Sequence, residues 1–76
     1  MKAFLLCKLA VGQEQVAVQK IRSIEGVNEV YVVFGAWDAV LSAEADTMDK
    51  LSTLVINQIR GIPGVIATET LVTTAI

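Results

Sequence analysis

Apolar residues recur along this chain in two rhythms. In residues 2–9, KAFLLCKL, every second position is apolar and small or aliphatic: Ala3, Leu5, Cys7 and Leu9. A period of two predicts a strand with one buried face. After a break at residues 10–13 the rhythm changes. Over residues 14–24, EQVAVQKIRSI, Ala17, Ile21 and Ile24 fall on one stripe, and Gln15, Gln19, Lys20 and Arg22 lie away from it. That is an amphipathic helix, stopped by Gly26, where a left-handed residue is wanted. Residues 27–34, VNEVYVVF, are β-branched and aromatic and predict a strand. A short turn at 35–37 leads to a partner strand over 38–45, DAVLSAEA, so the pair should form a hairpin. Asp46 is placed to cap the next helix, with Asp49 in a variant of the capping box. That helix is expected from Thr47 to Arg60, with Met48, Leu51, Val55 and Ile59 spaced 3, 4 and 4 apart and Leu54 and Ile62 widening the stripe. Pro63 and Gly64 end it, and residues 65–73, VIATETLVT, predict a last strand.

The order is β-α-β-β-α-β, and an internal repeat supports it. The segment IRSIEGV at 21–27 matches IRGIPGV at 59–65 in five of seven positions, at an offset of 38 residues, half the chain length. Each copy is a helix end, a glycine turn and a strand start. Two such halves predict an α+β fold of the ferredoxin-like kind: a βαββαβ sandwich, one four-stranded antiparallel sheet with both helices on one face. Residues 1–76 are expected to form a single domain.

Composition narrows the function. The net charge is −2, and the six basic residues (Lys2, Lys8, Lys20, Arg22, Lys50, Arg60) are scattered singly, which argues against direct nucleic-acid binding. Histidine is absent and Cys7 is the only cysteine, so no metal site, internal disulfide or cysteine–histidine nucleophile is expected within one chain. No cofactor is expected, and a copper-chaperone role fails for want of a Cys-x-x-Cys pair. No apolar run reaches about 18 residues, so no membrane partner is expected, and without a secretory pattern the expected location is cytoplasmic. Acid–base chemistry would rest on Asp38, Glu44, Glu29, Tyr31 or a lysine, none paired by spacing, so the chain is not expected to be an enzyme.

With 54% apolar and 18% charged residues, the chain is rich in apolar surface for a small monomer. Phe4 and Leu6 oppose the buried face of the first strand; Val30, Val32 and Phe34 share one face of the second and Tyr31 and Val33 the other. Apolar side chains on both faces predict that the sheet face away from the helices is covered by a second copy in a twofold dimer. Phe4, Leu6, Val30, Val32 and Phe34 are the expected contact residues. Cys7 is expected in the core as a small hydrophobe. Arg22 and Arg60, each in a last helical turn, suit the helix macrodipole and need no ligand to explain them.

The segment Val33-Phe34-Gly35-Ala36-Trp37-Asp38, and Ile62-Pro63-Gly64-Val65 leading to Thr68-Glu69-Thr70, resemble the effector domain of the leucine-responsive regulatory protein/AsnC family, the RAM domain (regulation of amino-acid metabolism). The resemblance covers Ala3 to Val72. It implies the ferredoxin-like fold, dimers formed through the sheets, rings of dimers such as octamers or decamers, and an amino-acid effector bound between dimers. Family regulators carry a helix-turn-helix domain ahead of this one; with a strand starting at residue 2, the chain is expected to be a stand-alone RAM-domain protein. Gly35 and Asp38 match the family turn, and Thr68 and Thr70 match hydroxyl positions near the effector. The sequence departs at Ala36, where the family often has an acid, and at Trp37, where tyrosine is commoner.

The chemistry suits such a ligand. Asp38 would take the ammonium in a charge-assisted hydrogen bond. Backbone N–H groups near Gly35 and Ala36, with the Thr68 and Thr70 hydroxyls, would take the carboxylate, and Trp37 an apolar side chain. The same letters also serve simpler ends: glycine and aspartate are turn residues, and threonine favours strands. The resulting expectation is an amino-acid-responsive oligomer linked to transcriptional regulation, able to co-assemble with full-length family regulators. The alternative is a structural homo-oligomerisation module with no small-molecule ligand.

Overall fold

A computed structural model describes residues 1–75. β1 (Lys2–Leu9) spans the centre of the sheet and pairs antiparallel with both β3 (Ala39–Glu44) and β4 (Val65–Val72). β2 (Val27–Val32) pairs with β3, which gives the order β2-β3-β1-β4 with β2 and β4 at the edges. This is the expected ferredoxin-like α+β sheet. The period of two in β1 is fully realised: Ala3, Leu5, Cys7 and Leu9 are buried, whereas Lys2, Phe4 and Lys8 are exposed.

α1 (Glu14–Arg22) ends two residues before the apolar stripe does. Ser23 takes the C-cap, and Ile24 belongs to the turn, where its carbonyl accepts from Val27 N–H at 3.2 Å. Gly26, at φ +99°, makes the reversal that a side chain would resist. The second helical segment is continuous but irregular. It comprises α2 (Met48–Lys50), a π-helical stretch over Leu51–Ile56, and α3 (Asn57–Arg60). Its cap is Thr47, not Asp46: Thr47 Oγ1 accepts from Lys50 N–H at 3.2 Å. Asp46 instead lies 3.7 Å from Lys50 Nζ, in an exposed ion pair of little energetic weight.

Both helical segments cover one sheet face. Ala17, Val18 and Ile21 of α1, with Leu51, Val55 and Ile59 of the second segment, close over Leu5, Cys7, Leu41 and Ala43. Burial pushes the Cys7 thiol from 9.0 up to about 11, because a thiolate would be poorly solvated there.

The hairpin strands end earlier than their composition suggests. β2 stops at Val32, although Val33 N–H still donates to Asp38 O at 2.9 Å. A β-bulge falls between Val27 and Glu29. It switches the alternation of β2, and this decides which of its side chains meet the open sheet face.

Candidate functional site

Two regions hold the residues singled out above. The first is the turn at 33–38. Asp38 is pinned there by three hydrogen bonds. Its N–H donates to Cys7 O at 2.9 Å, its carbonyl accepts from Val33, and its Oδ2 accepts from Leu9 N–H at 2.8 Å. The carboxylate thus continues the β1–β3 ladder past the last paired residues. Lys8 Nζ donates to Ala36 O at 3.2 Å and ties the turn to β1. Trp37 is half-buried, while Gly35, at φ +145°, and Ala36 are exposed. Phe34 projects wholly into solvent.

The second region is the helix-facing side of β4. Thr68 pairs with Cys7 and Thr70 with Leu5, so both threonines point the way the buried residues of β1 do. Both are half-buried. They line a groove of about 550 Å³, together with Ile56, Arg60, Val65, Ile66 and Ala67. None of residues 35–38 lines this groove. β1 separates the two regions: Cys7 pairs with Ala39 on one side and Thr68 on the other, a span of about 10 Å at ordinary strand spacing. Within one chain the six residues therefore form two places rather than one cavity.

The open sheet face differs in membership from expectation. Cross-strand pairing puts Phe4 opposite Ser42 and Leu71, and Leu6 opposite Val40 and Glu69. Tyr31 stands opposite Val40. Phe4, Leu6, Tyr31, Val40 and Leu71 make its apolar centre, with Lys2, Lys8, Glu29, Glu44 and Glu69 around them. Val30 and Val32 pair with Leu41 and Ala39 and so belong to the opposite, helix-bearing face. Phe34 lies beyond β2 in the turn. Phe4 and Leu6 therefore stay on the expected face, and Val30 and Val32 leave it. The bulge is the physical reason, since one extra residue reverses every later side chain of the strand.

Two polar details mark this face. Ser42 is only 5% exposed, and its Oγ has no hydrogen-bond partner among the described residues. The Tyr31 hydroxyl donates to Glu29 Oε2, and this bond, with the neighbouring carboxylate charge, raises the tyrosine pKa. Sequence reasoning did not single out Ser42, Val40 or Ile56, since their placement depends on register and helix packing. The repeat offers a partial signal: Ile56 stands 38 residues after the core-facing Val18.

Among the described residues, no helix is long and apolar enough to cross a membrane. Residues 2–75 match the Lrp/AsnC ligand binding domain. An uncharacterised HTH-type transcriptional regulator of Pyrococcus abyssi is 41% identical over 74 residues, which are 92% of this chain and 49% of that protein. The chain thus spans about half the length of the curated relatives it matches. The crystal structure of FFRP-DM1 is similar over nearly its whole length: TM-score 0.90, 32% identity, 96% of this chain and 97% of that one. Escherichia coli AsnC superposes with TM-score 0.84 at 26% identity, over 99% of this chain and 52% of its own. A family match across nearly all residues, on the four-stranded antiparallel sheet of the ferredoxin-like fold, means that the chain belongs to the Lrp/AsnC ligand-binding-domain family.

Proposed function

We propose that this protein is an amino-acid-responsive oligomeric effector-binding protein linked to transcriptional regulation. The observation that carries the reading is the family match over residues 2–75. The open face supports the oligomer. Phe4 is 39%, Leu71 50% and Tyr31 57% exposed, on a face where Ser42 Oγ is already withdrawn from water without a partner. Covering the patch with a second copy removes apolar area from water and brings polar atoms within reach of that hydroxyl. The flanking lysines and glutamates suit a twofold contact, because the same surface offers both signs. Dimers joined into an octamer or decamer ring, and co-assembly with full-length regulators through the same surfaces, extend the reading.

A purely structural module is the second reading. The observation favouring it is that Asp38 Oδ2 already accepts from Leu9 N–H, so its carboxylate has less capacity for an ammonium ion.

Native mass spectrometry with an equimolar pool of the twenty amino acids separates the two. An even-numbered assembly carrying one amino-acid mass per site is the expected result. The same assembly with no adduct favours the structural module. A bare monomer overturns both readings.

A further inference from the structure

Ser42 occupies the middle of the open sheet face. The order β2-β3-β1-β4 puts β3 and β1 at the centre of the sheet. On the open side these two strands present Phe4 opposite Ser42 and Leu6 opposite Val40. Three of the four central side chains are apolar, and the charged Lys2, Lys8, Glu29, Glu44 and Glu69 stand around them. Among these four, Ser42 is the one polar group, at the place where a covering partner excludes water most fully.

Its hydroxyl gains nothing within one chain. It is buried and has no hydrogen-bond partner among the described residues. The polar groups nearest along the sheet are already engaged. Glu29, opposite Ser42 on β2, accepts from the Tyr31 hydroxyl. Glu44, two residues further along β3, accepts from Asn28 Nδ2 at 2.9 Å. Phe4, opposite on β1, offers no acceptor beyond its ring, which faces Lys2 Nζ at 5.4 Å. An unbonded buried hydroxyl is destabilising, and a methyl group would fill the same space without that cost. The bond that this hydroxyl serves is therefore to be sought in a second chain.

Geometry selects the bonding group. Facing sheets pack about 10 Å apart. Two serine hydroxyls, each one carbon from its backbone, cannot meet across that gap, whereas a tyrosine hydroxyl stands a whole ring further out. Tyr31 lies on the same face and is 57% exposed. Its O–H is donated to Glu29, and its oxygen keeps lone pairs with which to accept.

We propose that Ser42 is the partner-selecting residue of the open face: across a twofold contact it donates to the Tyr31 hydroxyl of a second copy, which in turn donates to its own Glu29. The proposal rests on the reading of the open face as an oligomer contact, and deepens it. Each relay runs from hydroxyl to hydroxyl to carboxylate, a direction in which every bond polarises the next. The twofold makes two of them. The favoured partner is a like chain. A chain with phenylalanine in place of Tyr31 would cover the same apolar area and leave Ser42 unbonded, so it is discriminated against.

Sedimentation equilibrium on wild type, S42A, Y31F and the double variant S42A/Y31F tests this, with each fold checked by circular dichroism. Tyr31 is exposed, so Y31F probes the contact even if S42A perturbs the sheet. S42A and Y31F should each weaken the dimer by about fivefold to a hundredfold, the net worth of two hydrogen bonds. The double variant should be no weaker than either single one. Mixing isotope-labelled S42A with unlabelled Y31F gives a readout that a bond within one chain would not move. Both homodimers lack both bonds, whereas the mixed dimer sets Ser42 of one chain against Tyr31 of the other and regains one. Native mass spectrometry should therefore find mixed dimers in clear excess of the statistical half. A statistical mixture, or additive losses in the double variant, would overturn the proposal and leave the open-face contact standing. Wild type that stays monomeric at every concentration overturns the oligomer reading, and the proposal with it.

Discussion

The two halves of this molecule began from one pattern and have diverged in a specific way. Each runs from helix to glycine turn to edge strand, and the buried positions correspond: Ala17 with Val55, Ile21 with Ile59. In the first half the helix is regular, its arginine bonds the edge strand, and that strand carries valines. In the second half a π-helical stretch interrupts the helix, its arginine has no hydrogen bond among the described residues, and threonines stand in place of the valines. The core-facing positions named here remain apolar in both halves, while the outer flank differs. Core positions are constrained by packing density, whereas the flank is free to acquire chemistry. A π-helical turn is also a common mark of a helix bent to a functional purpose.

Paired substitutions would break or sharpen that comparison. The largest effect is expected in the core. Ile21→Ala and Ile59→Ala each remove a fully buried side chain and should cost about 2–5 kcal/mol. Ile59→Ala should be the milder, because the neighbouring π-helical stretch gives its segment room to settle into the cavity. Urea unfolding at a fixed protein concentration measures both, and a larger loss for Ile59→Ala would refute the softer second half.

The glycine turns come next. Gly26 and Gly64 have nearly the same conformation, φ +99° and +98°. A Cβ at Gly26 would meet Glu44 O at 2.9 Å and Val55 Cγ2 at 3.0 Å, backbone and core atoms with no freedom to move. At Gly64 it would meet Gln13 Oε1 at 2.9 Å, the tip of an exposed side chain that can swing aside, and Gln13 Cβ at 3.1 Å, which needs a shift of only a few tenths of an ångström. Both alanine variants incur the left-handed cost of about 1–2 kcal/mol, and Gly26→Ala adds the clash. Thermal unfolding should rank Gly26→Ala clearly below Gly64→Ala.

β1, which pairs with both strands of the second half, supplies a pH test. Cys7 stays a thiol in the folded protein up to about pH 11, while the unfolded chain ionises it near 9.0. Below pH 9 the two states hold the same proton and Cys7 makes stability independent of pH. Above it the unfolded state loses a proton that the folded state keeps, so stability falls as pH rises from 9 towards 11. Cys7→Ala should flatten that part of the stability profile. In the native protein, iodoacetamide should leave the thiol unlabelled at pH 8.

The smallest effect concerns the two arginines. Arg22→Ala loses the bond to Val30 and should cost about 0.5–1.5 kcal/mol. Arg60→Ala loses no such bond and should change stability by no more than about 0.5 kcal/mol. Equal costs would mean that Arg60 is a structural residue like its counterpart.

Much of the architecture was legible in the order of residues. β1 is bounded as its alternation predicts, and the stripe that includes Ala17 and Ile21 is the buried side of α1. The second helical segment ends at Arg60, before Pro63, as proline requires. The candidate site was less legible. Thr68 and Thr70 do lie side by side on one strand face, but Asp38 is turned to Leu9 N–H, and β1 divides the two groups. Val30 and Val32 were assigned to the open face, and the bulge puts them on the other.

The chain's own order of residues determined its repeat, its strand and helix sequence and the apolar identity of its core, because local periodicity and turn chemistry act between near neighbours. Tertiary structure decided the rest: where β2 bulges against β3, which side chains form the open face, and that Arg22 bonds the neighbouring strand while Arg60 has no such bond among the described residues. Those outcomes depend on pairing between strands distant in sequence and on packing of helix against sheet. A single inserted residue or one hydrogen bond changes them without altering the pattern along the chain.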